Sequence, residues 1–168
     1  MKKTYSGKYT VKKRKKYRGN PDDVTYRSNW EKQSFIWLEG NDNVEWWNSE
    51  ELIIPYYYEV DKRRHKYHVD LLVKWKDGKT TMIEIKPKKQ TSPPKVKNPK
   101  SKRSLNEVMA YVKNTNKWHA ADEVAKDNGW KFEIWTEVEL KQKGILKEQS
   151  GKLKPMKKMK PYRRKIKG

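Results

Sequence analysis

Within residues 67–86, YHVDLLVKWKDGKTTMIEIK, the carboxylates Asp70 and Glu84 are separated by thirteen residues, and Lys86 follows the second by two positions. These are residue types that phosphodiester hydrolysis needs. Carboxylates offer hard oxygen ligands to Mg2+ or Mn2+, and a fixed ammonium can stabilise charge growing on phosphate oxygens. Their ability to act together depends on strand register. Asp77-Gly78 marks the tip of a hairpin. A two-residue loop would set Asp70 opposite Ile85 and Glu84 opposite Leu71, mixing acids with core residues on each side. A three-residue loop, Lys76-Asp77-Gly78 with Gly78 in the left-handed region, sets Asp70 opposite Glu84, Leu72 opposite Met82 and His68 opposite Lys86. Val69, Leu71, Val73, Ile83 and Ile85 then form a uniformly apolar opposite side, so this register is the expected one. Like charges facing each other across strands are destabilising. Either a divalent cation offsets that repulsion, or water and Lys86 screen it on a solvated face.

Glu31 is a third candidate, and it too has two readings. Ser28 followed by Glu31 fits a capping box, in which the glutamate closes a helix start. Glu31, Phe35 and Leu38 also fall on one face of that helix, and a carboxylate on an apolar stripe needs a partner.

The elements that must position these groups can be read along the chain. A first helix is expected near 29–39 with Gly40 as its stop. Residues 44–60, VEWWNSEELIIPYYYEV, predict a short strand and then a longer one whose edge tolerates Pro55. The hairpin follows. Residues 86–103 form a Pro/Lys-rich loop with eight bases and no acid, too polar to bury a core. Ser104 and Glu107 suggest a second capping box, opening a helix that runs to about Lys126; Asn114-Thr115-Asn116 is a place where it could divide. Residues 131–137 predict a last strand, and VELKQKG a short terminal helix. A mixed sheet flanked by helices, an α/β fold, accommodates this order.

The chain's 168 residues carry a net charge of +21. Residues 1–18 hold nine Lys/Arg and no acid, and residues 141–168 hold twelve and one acid, so the excess lies at the ends. The division expected is a basic extended arm over 1–20, a folded domain over 21–140 and a Lys-rich tail over 141–168. Such a charge distribution suits a polyanion, nucleic acid first, since Lys/Arg displace counterions from phosphates. There is no Cys, which rules out disulfides and thiolate metal sites, and no apolar run long enough for a membrane span. His65 and His119 have no zinc-like spacing. Trp46, Trp47 and Tyr56–Tyr58 either stack on bases or pack the core; core packing is the expectation, because a small sheet needs large side chains.

The run Asp70-(x13)-Glu84-Ile85-Lys86 resembles the core of the PD-(D/E)XK nuclease superfamily. With YRSNWE, SEELIIPY, RRHKYHVD and EIKPKKQ in order, residues 17–137 resemble its TnsA-type endonuclease branch, and within it the head-completion nucleases of T-even-like tailed phages. The residue before Asp70 is Val69 rather than the proline of the motif's name. The resemblance implies a restriction-endonuclease-like core. It implies that Asp70 and Glu84 hold Mg2+ (with Mn2+ substituting), the Ile85 carbonyl nearby, and that Lys86 orients or activates the attacking water. Glu31 would be a further ligand or a positioner of metal-bound water, and Gln90 would help to place the scissile strand. The implied partner is double-stranded DNA, with portal or head-completion proteins in addition, in the host cytoplasm during phage assembly or in the virion. Two other readings stand beside it: a non-enzymatic DNA-binding head or portal protein that keeps the fold, and a resolvase- or transposase-type endonuclease of the same superfamily.

Overall fold

The computed structural model of the protein describes residues 5–147. The expected tail therefore lies outside the described residues from 148 onward.

The fold is α/β, as expected, and it is built around the hairpin. Strands β3 (Val44–Asn48), β6 (Leu71–Trp75), β7 (Thr80–Ile85) and β8 (Lys131–Trp135) form a four-stranded sheet in the order β3-β6-β7-β8. β6 runs antiparallel to both β3 and β7, and β8 runs parallel to β7, so the sheet is mixed. The hairpin takes the three-residue loop: Leu71 faces Ile83 and Leu72 faces Met82. The Trp75 and Lys79 main chains close it at 2.9 Å, and Gly78 turns at φ +91°, a conformation open to glycine at little cost.

That register sorts the sheet into two faces. Leu71, Val73, Ile83 and Ile85 pack on one side with Phe35 and Leu38 of α1 (Asn29–Gly40) and Leu140 of α3 (Glu137–Gln142). Leu72 and Met82 pack on the other with Ala121 and Ala125 of α2 (Lys102–Asp127). The side expected to be mixed is thus buried over most of its length and opens only at its acidic end.

Several expectations need correcting. The strand carrying Tyr67 and His68 does not run on into β6. It ends at His68 as β5 (Arg63–His68) and pairs with β4 (Ile53–Tyr58) in a separate antiparallel ribbon, so His68 faces Ile53 rather than Lys86. The break at Val69–Asp70 also turns Val69 into the α2-side core instead of the apolar side predicted for it. Here the main chain of Val69 bonds to residues 50 and 52 (Glu50 N–H to Val69 C=O at 3.1 Å, Val69 N–H to Leu52 C=O at 3.0 Å). These bonds replace hairpin pairing. Helix α2 starts earlier than expected, because the Ser101 hydroxyl already accepts the Ser104 amide at 3.1 Å; Glu107 instead pairs with Arg103. It passes through Asn114–Asn116 without dividing. Leu105 and Val108, in its first turns, are exposed. Trp47, Tyr56 and Tyr58 are core residues, as expected, while Tyr57 points outward. No helix among the described residues is long and apolar enough to cross a membrane.

The extended arm is the largest correction. Residues 5–20 belong to the folded body. Strand β1 (Gly7–Tyr9) pairs with β2 (Val24–Tyr26), and Val11 and Tyr17 are buried in the α1-side core. The buried Glu39 carboxylate accepts the Lys12 amide at 3.1 and 3.2 Å, and the Lys16 ammonium donates to the carbonyls of Glu39 and Asn41 at the end of α1. Tyr17 packs edge-on against Trp47 with ring centres 4.9 Å apart, and its hydroxyl bonds to the Ser49 main chain. Gly19 adopts φ +144°, a conformation that strains any residue with a side chain. Charge counting missed this segment because its few apolar residues are large and spaced between lysines that remain in solvent. Tyr17→Ala is expected to lower the unfolding free energy in urea by about 3 kcal/mol. The exposed Lys13→Ala in the same segment should change it by less than about 0.5 kcal/mol.

Candidate active site

The two hairpin acids meet where β5 gives way to β6. Asp70 sits in the break, just before β6, and its carboxylate accepts the Ile85 amide at 2.8 Å. Glu84 lies near the end of β7 and is 4% exposed. One Glu84 oxygen accepts a hydrogen bond from the Tyr67 hydroxyl, and the other lies 3.3 Å from the Lys86 ammonium. Burial first, and the charge of Glu84 second, hold Asp70 well above the ordinary aspartate range; the Ile85 amide only partly opposes them. The result is a buried Glu84 and a desolvated Asp70 in one place, with the nearer ammonium, Lys86, beside Glu84.

Both acids open into a cleft of about 730 Å³. Glu31 lines it from α1, and Lys86 and Lys117 line it from the sheet end and α2. Glu31 keeps its helix-start role in modified form. Its amide donates to the Ser28 hydroxyl at 3.2 Å, and its carboxylate accepts from the Arg27 amide at 2.9 Å, one residue further back than a capping box requires. Burial nonetheless pushes the Glu31 carboxyl above its usual range, with the nearby charge of Glu50 adding to it. Among the described residues no three His, Asp or Glu side chains are grouped closely enough to hold a metal ion together. Asp70, Glu84 and Glu31 nonetheless line one cleft. Ile85 lies in the same cleft and is tied to Asp70 through its amide. Gln90 is placed elsewhere: it ends the turn Lys88–Gln90 on the surface and lines a separate groove against α2 with Arg103 and Tyr111.

Three cleft residues were not found from the sequence. Tyr67 orients Glu84, and its hydroxyl is held far above the ordinary phenol range by burial and by that carboxylate. Lys117 is half-buried, its ammonium 5.5 Å from the Tyr67 ring centre; burial lowers its pKa while Glu84 raises it. The Glu50 main chain adopts φ +57°, costly for a residue with a side chain, and its carboxylate grips Arg27 at 2.8 and 3.3 Å beside the cleft. The YHVD string carried a signal for Tyr67, three residues before the aspartate. Nothing local singled out Lys117, one lysine of many on a long polar helix.

A family model described as "TnsA-like endonuclease N terminal" matches residues 41–137. That span holds Asp70, Glu84, Lys86 and Lys117, and Glu31 precedes it. The head completion nuclease of Enterobacteria phage T4 is 42% identical over 145 residues, which cover 84% of this chain and 97% of that protein. No solved structure matches the chain.

The burial of Asp70, with the charge of Glu84 beside it, has a consequence for stability. Because the folded-state pKa of Asp70 is raised, folding is favoured while Asp70 is protonated and is penalised as pH rises from the ordinary aspartate range through the raised value. Asp70→Asn keeps an oxygen for the Ile85 amide and removes the charge. In EDTA it is expected to melt above the parent at neutral pH, with the gap closing toward about pH 4; thermal melts over that range measure it.

Proposed function

Because this chain belongs to the family of TnsA-like endonucleases, we propose that it is a divalent-metal-dependent endonuclease that hydrolyses phosphodiester bonds of double-stranded DNA during completion of a phage head. The observation that carries the reading is the buried pair Asp70 and Glu84, sharing one cleft with the Lys86 ammonium 3.3 Å from Glu84. The donor set fits Mg2+ or Mn2+: two carboxylates are hard oxygen ligands, they are short of positive charge, and the cleft is open to water and phosphate. Asp70 and Glu84 would hold the ion, with Glu31 on the opposite wall. When bound, such an ion lowers the pKa of water and neutralises charge on the phosphate.

The protein's own groups divide the remaining work. In hydrolysis an oxygen of water bonds to phosphorus, the P–O bond to the leaving sugar oxygen breaks, one proton leaves the water and the departing oxygen gains one. Lys86, held by Glu84, sets an ammonium where the entering water and a phosphate oxygen meet, stabilising negative charge as it develops. The Ile85 amide and the Tyr67 hydroxyl fix the Asp70 and Glu84 carboxylates from behind, so that neither has to reorient as charge builds. Lys117 adds a second ammonium from α2 toward the same phosphate. Exposed lysines on the 86–103 loop contact backbone phosphates and leave base sequence unread.

The role in assembly rests on the relative named a head completion nuclease. On this reading the protein works in the host cytoplasm while heads are completed, and its further partners are portal or head-completion proteins.

Plasmid and linear duplex cleavage tests the chemistry. Cutting is expected with Mg2+ or Mn2+ and absent in EDTA. Asp70→Asn should abolish it, and Lys86→Ala should slow it by about 10²- to 10³-fold. Cutting that persists in EDTA, or survives both substitutions, defeats the proposal. Tyr67→Phe removes only the hydroxyl that orients Glu84. It is expected to raise the Mn2+ concentration for half-maximal cutting by about tenfold, measured by metal titration.

A further inference from the structure

The β4–β5 ribbon has two faces of different character. Its inner face, with Ile54, Tyr56, Tyr58 and Tyr67, packs under α2. Its outer face follows from the register: Ile53 lies opposite His68, Pro55 opposite Lys66 and Tyr57 opposite Arg64. All six are exposed; Ile53 is 46% and Tyr57 54% accessible, large values for such side chains. The face therefore interleaves apolar rings and branches with cations and carries no carboxylate. It is also continuous with the acidic cleft, since Lys66 and His68 line that cleft together with Asp70 and Glu84.

We propose that the outer face of the β4–β5 ribbon is a track for the sugar-phosphate backbone of duplex DNA, leading it into the Asp70–Glu84 cleft. This deepens the nuclease reading and rests on it. Charge chooses the occupant. Arg64 and Lys66, two residues apart on the strand and so about 7 Å from each other, match a polyanion, whereas the Lys/Arg-rich residues after 147 would be repelled by them. Length agrees: six antiparallel residues span about 20 Å, comparable with the rise of six base pairs along the duplex axis at roughly 3.4 Å each. Tyr57 and Ile53 supply apolar surface to the sugars between the cations. The Val69–Asp70 break, which separates the ribbon from the hairpin, is what lets this face meet the cleft at all.

The test measures binding apart from cutting. In an Asp70→Asn background with EDTA, affinity for a short blunt duplex is read by fluorescence anisotropy across a salt series, using the full chain. Arg64→Ala with Lys66→Ala is expected to weaken binding and to flatten the plot of log K against log salt by about 2 units, one for each phosphate no longer neutralised. Lys76→Ala with Lys79→Ala removes the same charge from the hairpin tip, about 20 Å from Asp70 along β6, and should leave the slope nearly unchanged. The exchange Arg64→Lys with Lys66→Arg should retain it. An unchanged slope in the ribbon double variant, or equal losses in both double variants, overturns the proposal. Neither result depends on whether the parent cleaves DNA with Mg2+ or Mn2+, so failure of the track and failure of the nuclease reading are told apart.

Discussion

Two like charges, Asp70 and Glu84, are buried side by side, and most of the surrounding structure can be understood as the means of tolerating them. A carboxylate removed from water is costly, and a second one beside it adds Coulomb repulsion that low-dielectric surroundings amplify. The fold offsets this in part with groups drawn from separate elements: the Ile85 amide from β7, the Tyr67 hydroxyl from β5, the Lys86 ammonium just beyond the sheet and the Lys117 ammonium from α2. The compensation is incomplete: burial first, and the charge of Glu84 second, still hold Asp70 above its ordinary range. A site built only for stability would replace such a pair with apolar residues. One built to receive a cation and a phosphate would keep it.

The position of the pair depends on an interruption. An unbroken strand from Tyr67 to Trp75 would have placed His68 across from Lys86 and closed the acidic end of the sheet. The break at Val69–Asp70 sends the preceding residues into their own ribbon with β4 and opens the sheet edge as a cleft. Its far wall is supplied by the N-terminal third of the chain: Glu31 at the start of α1, and Glu50 held in a left-handed conformation by its bond to Val69 and its pairing with Arg27. Strain at Glu50 and repulsion at Asp70 are stored within one cleft, and the packed residues around them, Trp47, Tyr17, Phe35 and Leu71 among others, hold both in place.

Charge elsewhere acts at a different scale. Most lysines in residues 5–20 stay exposed while Val11 and Tyr17 enter the core, so one stretch is both electrostatic surface and structural wall. The same doubling occurs on β4–β5, where alternation gives tyrosines to α2 and cations to solvent. Which groups of a basic stretch meet solvent and which enter the core is thus decided by the pleat of its strands.

The hairpin register, the mixed α/β order and the start of α1 were all legible in the sequence. Each follows from a short-range rule: a glycine in a three-residue turn, the two-residue period of a strand, a serine accepting the amide three residues on. The burial of Val11 and Tyr17, the break before β6, the absence of Gln90 from the cleft and the arrival of Tyr67 and Lys117 within it were decided only by tertiary structure. Those depend on which surfaces remain to be covered once the sheet has formed, and on main-chain bonds such as those of Val69 to Glu50 and Leu52, whose partners no local pattern names. The sequence by itself determined which groups could do chemistry; long-range packing determined which of them share a cleft, because that distance is set by elements far apart in the chain.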